Sequence, residues 1–377
     1  MTKKKKIGII GVGGGGMNTV LNIYDSIYKH TNRISTLEID YFLLNTDAYD
    51  LAQKQRKEIT NIELANEILR GDGTGADPKL GYKAAVFDKD KIDKMLKGKD
   101  IIFVSCGLGG GTGSGATPYI VERAKELGVV SVIFATFPWT FEGPKRKQNA
   151  YLSLVSSAKN ADTIFLLDND SMTKKEKGDN IKKQFEIIDN KFKRAIISLI
   201  LVNIEKSLIN IDFRDFINAF KRQEGEKYSN FSYFFDSRFD LTKFVNEHKK
   251  VTFSSVASGI SREVLREIPK DINVKTSDSL LILFKASERN LSISLIKKII
   301  NSFKNEEINK QEEMSIIFGA TLVSENKSFV ASEIRVSGLF SGITVDEKFE
   351  VMKKVTKDLK EIYLEEEVKE ETRVINK

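Results

Sequence analysis

Two stretches of this 377-residue chain put bare backbone where side chains would normally stand. In GVGGGGMN (residues 11–18) and SCGLGGGTGSG (105–115), glycines follow an apolar run and precede a helix-forming one. Glycine is costly in backbone entropy, so such runs are kept where something must approach the main chain closely. At a helix N-terminus the exposed N–H groups and the dipole attract an anion, phosphate above all. Two such loops make a cradle for a polyphosphate. Gly11, Gly13 and Gly16 also satisfy G-x-G-x-x-G, with Asp47 as the acidic partner, so the rival reading is an NAD(P)-dependent oxidoreductase. The second, richer loop argues against it, because a dehydrogenase of that kind needs one glycine turn. No G-x-x-x-x-G-K-[ST] occurs, which excludes a P-loop, and main-chain amides must hold the phosphates, with Mg2+ in support.

Other chemistries are thinner. Asp212 and Asp215 stand three apart at a helix start and project to one side, and in isolation they read as helix caps. Glu142 and Arg146 read in isolation as a surface ion pair. Cys106 is the single cysteine, which rules out internal disulfides and suits a reducing cytoplasm. His30 and His248 lack metal-ligand spacing, and no protein metal site is expected. The net charge of +7 is spread among interleaved acids, so no specific nucleic-acid site is expected. The start MTKKKKIGIIGV resembles a leader only superficially and reads as a first strand; no run is long enough for a membrane span.

The elements that must position these residues alternate. Apolar strands are expected at 6–12, 39–46, 100–106, 129–137 and 162–169, separated by helical patterns. This predicts an α/β fold with a Rossmann-like parallel sheet and ligands at the carboxyl ends of its strands. A long helix over 180–204 carries Phe185, Ile188, Phe192, Ala195, Ile196, Leu199 and Val202 at spacings of three and four and joins the two halves. Residues 221–250 look irregular. A second α+β domain with a mixed sheet follows, with strands at 250–257, 279–286, 314–322 and 329–339 and a helix at 293–303. Thr344 and Glu347 form a capping box opening a final helix with Phe349, Met352, Val355, Leu359 and Ile362 on its apolar face. The expected divisions are 1–180, 181–204, 205–249, 250–341 and 342–377.

The loop GGGTGSG (109–115) resembles the tubulin/FtsZ signature loop, and GVGGGGMN the first nucleotide loop of FtsZ. LLNTDA (43–48), RGDGTGADPKLG (70–81), TFEGPKR (140–146) and INIDFRDF (209–216) resemble further FtsZ loops in the same order. The resemblance implies a GTPase that assembles head to tail. It implies that Gly13, Gly14, Gly15 and Asn18 line the α- and β-phosphates, with Asp47 in the second loop. Gly109, Gly110, Gly111, Thr112 and Gly113 would wrap the phosphate chain, and Gly73, Thr74 and Gly75 would face the γ-phosphate. Glu142 and Arg146 would hold the ribose side, and Asp189 would accept from guanine. Asp212 and Asp215, with Asn210 beside them, would be the catalytic pair. From Asp189 to the helix end is roughly 21 Å at about 1.5 Å per residue, so these acids can reach only a neighbouring subunit's nucleotide.

Pro144, Asp72 and Asp168 depart from the usual FtsZ pattern, as does 221–250. The end EEEVKEETRVINK shows no apolar docking peptide, which puts the family's membrane-tether and division partners in doubt. The expected role is cell division, in the cytoplasm at midcell. A TubZ-like filament that segregates plasmid or phage DNA is the alternative, and the oxidoreductase a distant one.

Overall fold

The computed structural model describes residues 4–31, 37–175, 180–201, 208–221, 230–248, 250–268, 272–274, 277–305, 314–323 and 332–345. β1 (Lys5–Val12) runs straight into α1 (Gly13–Thr31), and β2 (Leu37–Asn45) into α2 (Ala48–Gln53). β3 (Ile59–Glu63) leads to α3 (Asn66–Leu69), α4 (Pro78–Phe87) and α5 (Lys89–Leu96). β4 (Ile101–Gly107) precedes α6 (Thr112–Glu126), β5 (Val130–Phe137) precedes α7 (Pro144–Ala158), and β6 (Thr163–Asp168) precedes α8 (Asn169–Lys175). α9 (Ile181–Leu201), α10 (Phe213–Asn218) and the short edge strand β7 (Asn230–Phe231) complete this half.

These strands form one parallel sheet in the order β3-β2-β1-β4-β5-β6-β7. Both faces are covered, which explains the near-continuous apolar strands. In β1, Ile7 and Ile9 pack into a core with Met17 of α1 and Phe192 of α9. Ile10 and Val12 pack into a second core with Ile120 of α6 and Leu154 of α7. The strand order reverses between β1 and β4, and their helices leave to opposite faces. A crevice therefore opens at the carboxyl ends of these two strands.

The second half comprises β8 (Tyr233–Asp240), α11 (Leu241–Glu247), α12 (Phe253–Glu267), β9 (Ile272–Asn273), β10 (Ser279–Ala286), α13 (Ile293–Asn305), β11 (Ser315–Leu322), β12 (Glu333–Ser341) and β13 (Thr344–Val345). Its sheet runs β11-β10-β12-β8, with β10–β11 parallel and the other pairs antiparallel. α12 and α13 pack on one face. α9 fills the seam: Ile188, Phe192, Ala195, Ile196, Leu199 and Ile200 share a core with Phe134 and Phe165 of the first sheet and Phe234, Leu281 and Leu339 of the second.

Several expectations are corrected. Residues 253–257, expected as strand, open α12, because Val256, Ala257, Ile260 and Val264 bury one helical face. Thr252 and Ser255 form its capping box. The segment expected to be irregular supplies β8, whose Tyr233, Phe235 and Phe239 alternate into the second half's core. β3, too polar to announce itself, was not foreseen. Thr344 and Val345 are extended and pair with Asn273 and Ile272, so no helix starts there. Glu347, Val202 and the apolar positions from Phe349 onward lie outside the described residues. Among the described residues no helix is long and apolar enough to cross a membrane.

Candidate functional site

The crevice is a cleft of about 520 Å3 at the carboxyl ends of β1, β2, β4 and β5. Its floor is two helix starts. α1 begins at Gly13 immediately after β1, and α6 begins at Thr112 after the loop 107–111; neither carries an acid in its first turn. The loops are fixed to one another by polar contacts. Ser114 Oγ accepts from Gly109 N at 2.7 Å, Thr46 and Thr112 share a hydrogen bond of 2.6 Å, and Asn149 Nδ2 donates to Ala76 O at 3.2 Å and Gly109 O at 3.3 Å.

The glycines divide into two groups. A Cβ on Gly111 would collide with the Thr74 side chain, and one on Gly16 with the Ser105 carbonyl. These glycines let the chain pack on itself. A Cβ on Gly110 or Gly75 would meet nothing within 4 Å, and one on Gly15 nothing nearer than 3.7 Å. Those three, all in the cleft wall, leave room for a ligand.

Gly13, Gly14, Gly15, Asp47, Gly73, Thr74, Gly75, Gly110, Gly111, Thr112, Gly113, Glu142, Arg146 and Asp189 all line the cleft, drawn from loops distant in sequence. Asn18 and Gly109 do not line it. Asn18 is exposed on α1, and Gly109, at φ +101°, turns the loop against Arg146. Asp47 is the N-cap of α2, accepting from Asp50 N at 2.9 Å. Asp50, which sequence reasoning missed, also lines the cleft and pairs with Lys54 at 2.5 Å. Glu142 forms the foreseen ion pair with Arg146 Nη1 at 2.6 Å, accepts from Trp139 N at 3.0 Å, and also lines the cleft. Arg146 is the one Lys or Arg side chain in the lining among the described residues, so amides dominate.

The far end of the cleft is aromatic. Phe185, expected in the core, is 50% exposed there, edge-on to Trp139 with ring centroids 5.0 Å apart. Its exposed spacing gave no warning, because periodicity alone cannot tell a core position from a cleft wall. One turn on, Asp189 accepts from Thr19 Oγ1 at 2.7 Å and from Asn22 Nδ2 at 3.5 Å. Burial raises its carboxyl above the usual range, and the Thr19 bond opposes this. An acceptor beside an aromatic wall suits a flat base that presents N–H donors. Burial pushes the Cys106 thiol up to about 12, so a thiolate plays no part. No cluster of three metal-ligating side chains occurs among the described residues.

Asn210, Asp212 and Asp215 are exposed and none lines the cleft. Asp212 caps α10 by accepting from Arg214 N at 2.7 Å. α10 sits at the opposite end of the sheet: Lys5 Nζ, at the start of β1, lies 4.8 Å from the Phe213 ring centre, and Thr163, at the start of β6, donates to Phe220 O at 2.7 Å. β1 then runs its full length before reaching Gly13, about 23 Å at 3.3 Å per residue. One copy cannot bring its acids to its own cleft.

A doubly wound sheet with two glycine loops at its switch point, joined by a long helix to a mixed sheet, is a tubulin-like architecture whose cleft suits an anion such as phosphate. Residues 6–177 match the model of the Tubulin/FtsZ family, GTPase domain. The cell division protein FtsZ of Aquifex aeolicus is 35% identical over 211 residues, 56% of this chain and 55% of that protein. The matched stretch thus spans about half the length of that curated relative. The fold is shared with an FtsZ dimer from M. jannaschii (TM-score 0.71, 24% identity, 90% of this chain and 89% of that one). It is also shared with CetZ2 from Haloferax volcanii, solved as a GTPγS-bound protofilament (TM-score 0.73, 18% identity, 95% and 99%). The cleft-bearing half of this chain is similar to the GTPase domain of the tubulin/FtsZ family.

Proposed function

We propose that this protein is a GTPase that polymerises head to tail and hydrolyses GTP between subunits, acting at the division site of the cell. The observation that carries this reading is the separation of the cleft from Asp212 and Asp215 at opposite ends of one sheet. The relatives named as cell division proteins support the process, and those solved as a dimer or protofilament support self-association. Partners among division or membrane-tether proteins belong to the same proposal.

In the mechanism, the amides of the Gly13–Gly15 turn and of the 110–113 loop hold the phosphate oxygens. Gly73, Thr74 and Gly75 face the terminal phosphate, and Glu142 and Arg146 hold the ribose side. Asp189 accepts from guanine N–H groups, which adenine does not present in that pattern, and Phe185 and Trp139 flank the ring. A Mg2+ ion fits the donor set, since Asp47 and Asp72 bring carboxylate oxygens into the wall beside the amides. When bound, it neutralises phosphate charge. From the next subunit, Asp212 and Asp215 orient a water, with Asn210 beside them. The water oxygen bonds to the γ-phosphorus as the bond to the β-bridging oxygen breaks, releasing GDP and phosphate.

The test is GTP turnover per subunit against protein concentration, with pelleting of the same samples. Turnover should rise above a threshold that coincides with GTP-dependent pelleting, and Asp212→Ala should abolish the rise. Turnover per subunit that stays flat with concentration would sink the shared site.

A further inference from the structure

A threonine inside a helix is an unfavourable choice, because its branched side chain loses rotamer freedom and its hydroxyl competes for backbone acceptors. Thr19 is such a residue, one turn into α1 after the Gly13–Gly15 turn. It is 3% exposed, on a helix whose Met17, Val20 and Ile23 are buried as well. An alanine there would leave no polar atom to satisfy. The Thr19 hydroxyl has two acceptors in reach: Gly15 O at 3.4 Å on its own helix, and Asp189 Oδ1 at 2.7 Å on α9. A hydroxyl donates one proton, and the shorter, charge-assisted bond takes it. Asn22, three residues on and so on the same face of α1, brings Nδ2 to 3.5 Å from the other carboxylate oxygen.

These contacts set what Asp189 offers a ligand. Each carboxylate oxygen has two lone pairs, and α1 engages one on each. That leaves one on each oxygen for the cleft, whose wall includes both Thr19 and Asp189. Guanine presents N1–H and an N2 amino hydrogen side by side, and two parallel acceptors match them. A carboxylate free to rotate would align with both donors only part of the time. Burial lifts the Asp189 carboxyl towards its neutral form, which would turn an acceptor into a donor. The Thr19 bond and the charge of Lys193, one turn on, oppose this.

Taking Asp189 as the guanine acceptor, we propose that Thr19 is a positioning residue that sets the preference for guanine. Its hydroxyl holds the Asp189 carboxylate in the plane that receives N1–H and the N2 amino group together. α1 then serves both ends of the ligand. Its start supplies the phosphate turn, and one turn beyond Gly15, roughly 6 Å along the axis, it orients the base acceptor.

The experiment is calorimetric titration of GDP and of inosine diphosphate, which lacks the N2 amino group, into the full chain and its variants. Wild type should bind GDP about tenfold or more tighter than inosine diphosphate, because the analogue forfeits one bond to a charged acceptor. Thr19→Val keeps the shape, removes the hydroxyl and should narrow that ratio to about threefold or less, and Thr19→Ser should restore it. A packing role alone would weaken both ligands by one factor, so an unchanged ratio in Thr19→Val overturns the proposal. A ratio that stays narrow in Thr19→Ser does the same. Should Thr19→Val not fold, Thr19→Ala is read in the same way. Asp189→Asn separates this proposal from the reading it rests on. If Asp189→Asn narrows the ratio and Thr19→Val does not, Asp189 meets the base without help from Thr19. If Asp189→Asn leaves the ratio at the wild-type value, the guanine reading falls and the proposal with it. A wild type with no preference between the two ligands has the same meaning.

Discussion

Gly110 and Gly111 are adjacent and have opposite duties. A methyl on Gly111 would strike Thr74, whereas one on Gly110 enters open cleft. Gly110→Ala should therefore keep the wild-type melting temperature while weakening guanine-nucleotide affinity at least about tenfold, since close backbone approach is what glycine permits. Gly111→Ala should instead lower the melting temperature, and a scan of both variants with and without GTP separates the two effects. Asp189 carries a pH signature. Its carboxyl is raised by burial, so the unliganded fold binds that proton more tightly than the unfolded chain does. Its burden on stability is absent below the unfolded pKa and grows as pH rises through the folded one. Asp189→Asn should melt a few degrees higher than wild type at neutral pH, with the gap closing as pH falls through that range, while losing its preference for guanine. A gap independent of pH would refute the assignment of the raised carboxyl.

At the scale of elements, α9 bears the most on the architecture. Phe192 is 3% exposed and stands edge-on to Phe134 at 5.3 Å, in the core that also holds Leu281 and Leu339. Phe192→Ala should cost about 3–5 kcal/mol of unfolding free energy, read by denaturant titration, because a large ring is lost where two sheets meet. α12 is a smaller case. Its Thr252 accepts from Ser255 N at 3.1 Å, and Thr252→Ala should cost about 1 kcal/mol in the same assay. The segment from Val251 to Ala257 shows why short apolar runs mislead: Val251 and Phe253 alternate as in a strand, and only Ile260 and Val264 extend the helical stripe that Val256 begins.

Across the whole molecule, the proposed active site exists only between copies. This predicts complementation. Asp212→Ala keeps a sound cleft and loses one acid of the pair; Gly110→Ala keeps both acids and has an impaired cleft. Each alone should show little turnover, and a mixture should recover a measurable part of it, because mixed head-to-tail contacts join the intact halves. Turnover of the mixture equal to the average of the two variants would mean that each copy acts alone. A contact of this kind repeats without closing, which is why one geometry serves both hydrolysis and filament growth.

The glycine runs, the apolar strand sequence and the order of the loops determined the parallel sheet, the placement of a cleft at its carboxyl ends, and most of the residues that line it. Those are local signals: strand, turn and helix start lie within a few residues of one another, so spacing carries them. Tertiary structure alone decided which glycines serve packing and which face the open cleft, because that depends on what Thr74, Ser105 and Pro78 bring from elsewhere. It also decided that Phe185 belongs to a cleft wall and that Asn18 and Gly109 do not line it. It made a strand of Tyr233–Asp240, whose pairing partner lies about a hundred residues further along the chain. The contact of Thr19 with Asp189 has no trace in the sequence, since only the packing of α1 on α9 joins residues 170 positions apart.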